Sequence, residues 1–136
     1  MLKEVFVSLE TAKLLKEKGF DVVTDFVYFE SGDVFPNFFT RSGKVYYPRP
    51  TLALAMRWLR EVHNYVINIG LDSYVKGCDP MGYYVYINRY NDPFEEHCPQ
   101  MTADDKVFFK TYEEAAEIAV NYVLRTYIGY EDNNYI

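Results

Sequence analysis

The strongest constraint on the fold is a segment with helical periodicity near the end of the chain. Thr111 is followed three residues later by Glu114, which is the spacing of a capping box at the first turn of a helix. Apolar residues then recur every three or four positions, at Tyr112, Ala115, Ala116, Ala119, Val123 and Tyr127. The opposite side carries Glu113, Glu117, Asn121 and Arg125. The pattern therefore predicts an amphipathic helix.

Two earlier segments have the same helical signature. Ser8 can cap a helix that ends at Gly19, because glycine readily adopts the left-handed conformation found after helices. Thr51 can cap a second helix, whose apolar stripe comprises Leu52, Ala55, Met56, Leu59 and Val62. The sequence thus predicts three helices in all.

Runs rich in β-branched and aromatic residues, which favour strands, separate the predicted helices. They lie at 22–29, 34–35, 44–47, 65–69, 83–90 and 106–110. The runs at 65–69 and 83–90 are predicted to pair, and their alternation places Tyr65, Ile67 and Ile69 on one face of the first strand and Tyr83, Val85 and Ile87 on one face of the second. Several connections between them are too short for the crossovers of a parallel sheet. We therefore predict an α+β fold in which residues 1–136 form a single domain. Its antiparallel sheet has about five strands, its three helices lie mainly on one face, and the order is αββ-αββ-α.

Charge is unevenly distributed along this acidic chain. Twenty Asp and Glu against fourteen Lys and Arg give a formal charge of −6, and an acidic surface repels phosphate backbones. We therefore expect no nucleic-acid partner. Five basic residues nevertheless lie close together in the sequence, at Arg41, Lys44, Arg49, Arg57 and Arg60. This concentration suits a small anion or an acidic partner, whereas solvated surface charge is the simpler interpretation.

The second predicted helix contains the only tryptophan, Trp58, between Arg57 and Arg60, and it ends with His63. Because arginine stacks well on an indole ring, one interpretation is an aromatic and cationic binding face. The interpretation that we favour is that Trp58 widens the apolar stripe and packs in the core. We name five candidate ligand-binding residues: Arg49, Arg57, Trp58, Arg60 and His63.

No catalytic or cofactor signature occurs in the sequence. It lacks a Gly-x-Ser-x-Gly elbow, a Walker loop and a dinucleotide glycine fingerprint. Cys78, Cys98, His63 and His97 do not have the spacing of a structural zinc site, and the two cysteines are expected to be free thiols. We therefore expect no catalytic residue, no metal and no cofactor.

The aromatic content exceeds what one core of this size needs. Fourteen Tyr and ten Phe make up most of the 18% aromatic fraction, so we expect some rings on a binding surface. No signal segment and no run of roughly 18 apolar residues occurs, which predicts a cytoplasmic protein with no membrane partner.

Three segments carry a resemblance to known sequences: SLETAKLLKEKGF at 8–20, PTLALAMRWLREVHN at 50–64 and TYEEAA at 111–116. Together they resemble a family of short uncharacterised proteins of Bacteroidetes genomes and their phages or mobile elements. The resemblance implies a phage or mobile-element origin. It supplies no catalytic residue, because no activity is established for the family.

These observations predict a non-enzymatic protein that binds a protein partner or associates with itself, with a symmetric dimer as the simplest way to cover aromatic surface. One alternative is a small-anion or nucleotide-binding protein that sequesters a host defence signal. The second alternative is a small hydrolase.

Overall fold

Three helices form where the sequence predicts them. The computed structural model describes residues 3–71, 82–89, 92–97 and 108–129, with residues 92–97 described by their backbone. The helices are α1 (Leu9–Glu17), α2 (Leu52–His63) and α3 (Tyr112–Thr126). After α1 the chain turns at Gly19, whose φ of 91° is left-handed as expected.

Hydroxyl side chains cap all three helices, as predicted. The side-chain oxygens of Ser8, Thr51 and Thr111 each accept a hydrogen bond from the backbone N–H three residues later, at 3.2, 3.1 and 3.0 Å. The Glu114 carboxylate accepts from the backbone N–H of Lys110 at 3.3 Å. These bonds satisfy N–H groups that have no partner within the helices.

The strands form two separate antiparallel sheets of three strands each. The first comprises β1 (Phe26–Phe29), β2 (Val34–Pro36) and β3 (Tyr46–Pro48), with β1 in the centre. A 3₁₀ helix (Asn37–Ser42) connects β2 to β3. The second comprises β4 (Tyr65–Leu71), β5 (Tyr83–Arg89) and β6 (Asp92–His97), with β5 in the centre. The α+β class with antiparallel pairing is as predicted.

The prediction of one sheet with about five strands in the order αββ-αββ-α is wrong. Both edges of β1 are occupied by strands of its own half, while β4 pairs with β5 over seven residues, so the order is αβββ-αβββ-α. Strand β6 escaped prediction because its sequence, DPFEEH, contains a proline and three acids, which are depleted in strands. The predicted strand at 106–110 is represented by a bridge between Tyr83 and Phe109, and residues 106–107 lie outside the described ranges.

One hydrophobic core joins the helices to the second sheet. Its buried cluster includes Leu15 of α1, Leu59 of α2 and Val123 of α3. The sheet contributes the face predicted from the alternation of β4 and β5, with Ile67 paired to Ile87 and Tyr65, Ile69, Tyr83 and Val85 on the same side. Both α2 and α3 pack on this face, whereas α1 packs against β3 and α3. The single-domain assignment stays a prediction, because residues 1–136 extend beyond the described ranges.

Polar side chains join α1 to α3. Thr11 is fully buried, and its hydroxyl donates to Oε1 of Glu117 at 2.6 Å and accepts from Nδ2 of Asn121 at 3.2 Å. Ser8 donates to the same carboxylate with both its hydroxyl and its backbone N–H. Glu117 and Asn121 therefore belong to a helix contact, although the sequence pattern places them on the polar side of α3.

Candidate functional site

The five candidate ligand-binding residues differ in burial and in their contacts. Trp58 and His63 meet, because the imidazole lies against the indole with ring centroids 4.7 Å apart. Trp58 is only 5% exposed and also packs edge-on against Phe20 at 5.3 Å. The core interpretation of Trp58 is thus confirmed, and its ring is not available as an open binding face.

The two arginines of α2 lie on its exposed side. Arg57 donates to Glu61 one turn later at 3.2 Å, and both side chains are more than half exposed. Exposed pairs of this kind contribute little to stability. Arg60 is also exposed. Neither arginine lines the hollow that contains Arg49.

Arg49 is partly buried, and aromatic rings hold its guanidinium. The guanidinium carbon lies 3.9 Å from the centroid of Phe6 and 5.5 Å from that of Tyr28. Its Nε is buried without a hydrogen-bond acceptor among the described residues. The backbone N–H of Arg49 donates to Oγ1 of Thr24 at 3.2 Å, which anchors the chain at this point. Arg49 thus presents a positioned cation with unused donor capacity.

An extended segment near the N-terminus brings Phe6 to Arg49. The N–H of Val7 donates to the carbonyl of Pro50 at 3.0 Å, and the N–H of Leu52 donates to the carbonyl of Val5 at 2.9 Å. Residues 5–7 therefore run antiparallel to residues 50–52. No sequence pattern predicts this contact, because the ring and the arginine lie far apart along the chain.

The Arg49 hollow has a volume of about 380 Å³. Apolar and aromatic side chains form much of its wall, among them Phe6, Phe26 and Leu54. Glu4 and Asp25 also border it and are exposed to solvent. The hollow therefore combines polar and apolar surface, with one fixed cation and two peripheral acids.

A second surface consists of four phenylalanines in successive ring contact, Phe29, Phe35, Phe39 and Phe38, which we call the phenylalanine row. Phe29 contacts Phe35 at 4.8 Å between centroids, Phe35 contacts Phe39 at 5.5 Å, and Phe39 stacks on Phe38 at 4.5 Å. Phe38 is 64% exposed and Phe39 is 41% exposed. Sequence reasoning predicted surface rings but not these, although a Phe-Phe pair beside the polar residues Thr-Arg-Ser-Gly was an available signal.

The 3₁₀ helix fixes the exposed end of the row. Its first residue, Asn37, donates from the backbone N–H to the carbonyl of Asp25 at 2.9 Å and from its side chain to the carbonyl of Thr24 at 2.8 Å. Gly43 ends the helix with a left-handed φ of 81°. Phe38 and Phe39 are therefore held on a short anchored element.

Charges of both signs surround the first sheet. Residues 34–60 contain five Lys and Arg but no Asp or Glu, and the exposed Arg41 and Lys44 lie in or next to the 3₁₀ helix. On the neighbouring edge, Tyr47 donates to Glu30, and Lys13 pairs with the same carboxylate at 3.1 Å. The hydrogen bond from Tyr47, with help from Lys13, lowers the pKa of Glu30, and the carboxylate raises the pKa of Tyr47.

Metal-binding clusters and membrane-spanning helices are absent from the described part of the chain. No group of three or more His, Cys, Asp or Glu side chains there is arranged to hold a metal ion. No described helix combines the length and the apolar character needed to cross a bilayer. Cys78 and Cys98, predicted to be free thiols, lie outside the described ranges.

Comparisons with protein-family models, with curated proteins and with solved structures each found no match. The resemblance to short proteins of Bacteroidetes and their phages therefore stays a prediction. Among the described residues, the phenylalanine row and the Arg49 hollow are the two surfaces considered below as candidate binding sites.

Proposed function

We propose that this chain is a non-enzymatic protein-interaction domain that binds an acidic segment of a partner protein through the phenylalanine row. The observation that carries the proposal is the exposure of Phe38 and Phe39, at 64% and 41%, on an anchored 3₁₀ helix. Two adjacent, stacked and largely exposed phenylalanines are unfavourable in water unless a partner covers them.

The free energy available from covering these rings is substantial. Fully removing one such apolar side chain from water contributes about 1.5–3 kcal/mol. Because Phe38 and Phe39 are 64% and 41% exposed, covering the rest of both rings contributes about as much as one full side chain, about 1.5–3 kcal/mol before the costs of association. Because Phe38 and Phe39 already stack on each other and Phe39 also contacts Phe35, little side-chain freedom remains to be lost on binding. Ordered aromatic rings of this kind are typical anchors of protein interfaces.

Charge around the row favours an acidic partner over a second copy in symmetric contact. Arg41 and Lys44 closely follow Phe38 and Phe39 in the sequence, and no acid occurs between residues 34 and 60. A symmetric dimer through this surface would bring the two basic sets together, whereas carboxylates of a partner would meet them favourably. A second copy of this chain is therefore less favoured than an acidic segment as the partner of the phenylalanine row.

The biological setting is part of the same proposal. A phage or mobile-element protein acting in the cytoplasm of its host would find its acidic partner among host proteins. This part is supported by the sequence resemblance alone. No feature of the described residues favours the small-hydrolase alternative.

Selection from a random peptide display library tests the proposal and needs no named partner. The baits are the full chain, the double variant F38S/F39S and the matched control V62S, since Val62 is 57% exposed on α2. We expect the wild type and V62S to enrich peptides in which acidic residues flank an apolar anchor. We expect F38S/F39S to lose this enrichment while it keeps its circular dichroism spectrum.

Two results would contradict the proposal. One is enrichment of the same peptides by F38S/F39S, which would place binding elsewhere on the chain. The other is enrichment of peptides without acidic residues. Sedimentation of the unbound chain over a range of concentrations would separately show whether a second copy covers the row.

A further inference from the structure

We propose that the Arg49 hollow is a binding site for a carboxylate attached to an apolar body. Its ligand class is an apolar monocarboxylate, either a free small acid or the C-terminal carboxylate of a peptide. The site is distinct from the phenylalanine row. Phe26 borders the hollow, and alternation along β1 directs Phe26 and Phe29 to opposite faces of the first sheet.

The guanidinium of Arg49 is held in place and retains free N–H groups. Phe6 covers the guanidinium at 3.9 Å, a stacked arrangement that leaves the N–H groups in the plane of the cation free to bind. Within the described ranges, Arg49 makes no ion pair, and its Nε is buried without an acceptor. A carboxylate in the hollow can accept from both terminal nitrogens together, which is a bidentate geometry that arginine favours.

The wall of the hollow offers contact for the apolar body of a ligand. A volume of about 380 Å³ is within the range of small-molecule sites, and Phe6, Phe26 and Leu54 offer apolar contact beside the cation. The hollow also reaches the first turn of α2, which carries no acidic residue. The partial positive charge of the helix start therefore adds to that of Arg49.

The acids at the rim determine the charge of the ligand. Glu4 and Asp25 border the hollow and would repel a dianion such as phosphate more strongly than a single carboxylate. A nucleotide would need further cations, but Arg57 and Arg60 do not line this hollow. A ligand with one negative charge and an apolar body fits both the cation and the wall.

Nuclear magnetic resonance of the full chain tests the site directly, because the Nε–H of Arg49 gives its own signal, assigned from its loss in R49K. The probes are 3-phenylpropionate for a free acid and N-acetyl-glycyl-phenylalanine for a peptide terminus. Each is compared with its neutral amide, and inorganic phosphate is titrated in parallel. We expect at least one acid to shift the Arg49 signal saturably and to bind at least about tenfold more tightly than its amide and than phosphate.

Variants separate the arginine from general surface charge. We expect R49Q to weaken acid binding at least about tenfold and R49K to weaken it to a lesser degree. The control R57Q should change nothing, and D25N should tighten binding by removing a repulsive charge. F38S/F39S should also bind the acid normally, so failure of the phenylalanine row as an interface leaves this site intact.

The proposal is overturned if acid and amide shift the wild-type spectrum equally, or if no probe produces a saturable shift. Acid binding that persists unchanged in R49K would also overturn it, and this variant serves if R49Q does not fold.

Discussion

Replacement of Thr11 by valine removes the central hydrogen bonds of the α1–α3 contact while it preserves side-chain volume. The Thr11 hydroxyl is fully buried, donates to Glu117 at 2.6 Å and accepts from Asn121 at 3.2 Å. A hydrogen bond to a charged group contributes about 1.5–3 kcal/mol, and a neutral one about 1 kcal/mol. Ser8 continues to donate to Glu117 in the variant, so the carboxylate is not left alone. We therefore expect T11V to lower the free energy of unfolding by about 2 kcal/mol.

Urea unfolding followed by the fluorescence of Trp58 measures this loss, because the single tryptophan is buried in the folded chain. The midpoint should fall while the slope of the transition stays the same. The matched control is T126V, since Thr126 is exposed in the last turn of α3 and should change stability by less than about 0.5 kcal/mol. A T11V protein within about 0.5 kcal/mol of the wild type would refute the role of this contact.

Local geometry gives further predictions at two glycines and at the Tyr47–Glu30 pair. A Cβ at Gly82 would lie 2.5 Å from the carbonyl oxygen of Phe109 at a φ of +133°, so G82A should cost more than about 3 kcal/mol. G43A, at a φ of +81° with open space around it, should cost only about 1–2 kcal/mol, and equal losses in urea unfolding would contradict this packing. Y47F should raise the pKa of Glu30 towards 4.5 in a carbon-detected titration, and an unchanged pKa would exclude the Tyr47 hydrogen bond in solution. The folded-state pKa of Glu30 is depressed, so ionised Glu30 contributes to the stability of the fold at pH values above its unfolded-state pKa. This contribution is lost as the pH falls through the folded-state pKa.

Local sequence signals predicted the local structure well. The caps at Ser8, Thr51 and Thr111 depend on hydrogen bonds that span three residues, so the sequence contains both partners side by side. The alternation of β4 and β5 likewise depends only on neighbouring residues, and the observed face with Ile67 and Ile87 is the predicted one.

Pairing between distant segments was not predictable in the same way. No local sequence signal indicates that both strands paired with β1 come from residues 34–48. The strand pattern therefore predicts one sheet, whereas the described residues form two. Val62 repeats at helical spacing and belongs to the predicted apolar stripe, yet it is 57% exposed, whereas Trp58 and Leu59 are buried. Strand pairing and the burial of individual residues depend on which faces of distant elements pack together.

The candidate sites also combine features that the sequence predicts with features that depend on tertiary contacts. Sequence reasoning selects Arg49 because it belongs to a basic stretch, but its importance comes from Phe6, which a distant segment supplies. Phe38 and Phe39 contribute to the aromatic count without standing out from it, because exposure depends on how the 3₁₀ helix leaves the sheet. Composition therefore indicated binding surfaces, and tertiary contacts were needed to locate them.

The affinity of one selected acidic peptide, measured by isothermal titration calorimetry, tests the central claim most directly. We predict that F38S/F39S weakens the wild-type affinity at least about tenfold, since the apolar contact of two partly exposed rings is lost. V62S should bind within about twofold of the wild type, and higher salt should weaken binding through the contribution of Arg41 and Lys44. A peptide that binds F38S/F39S as tightly as the wild type would contradict the assignment of the phenylalanine row as the interaction surface.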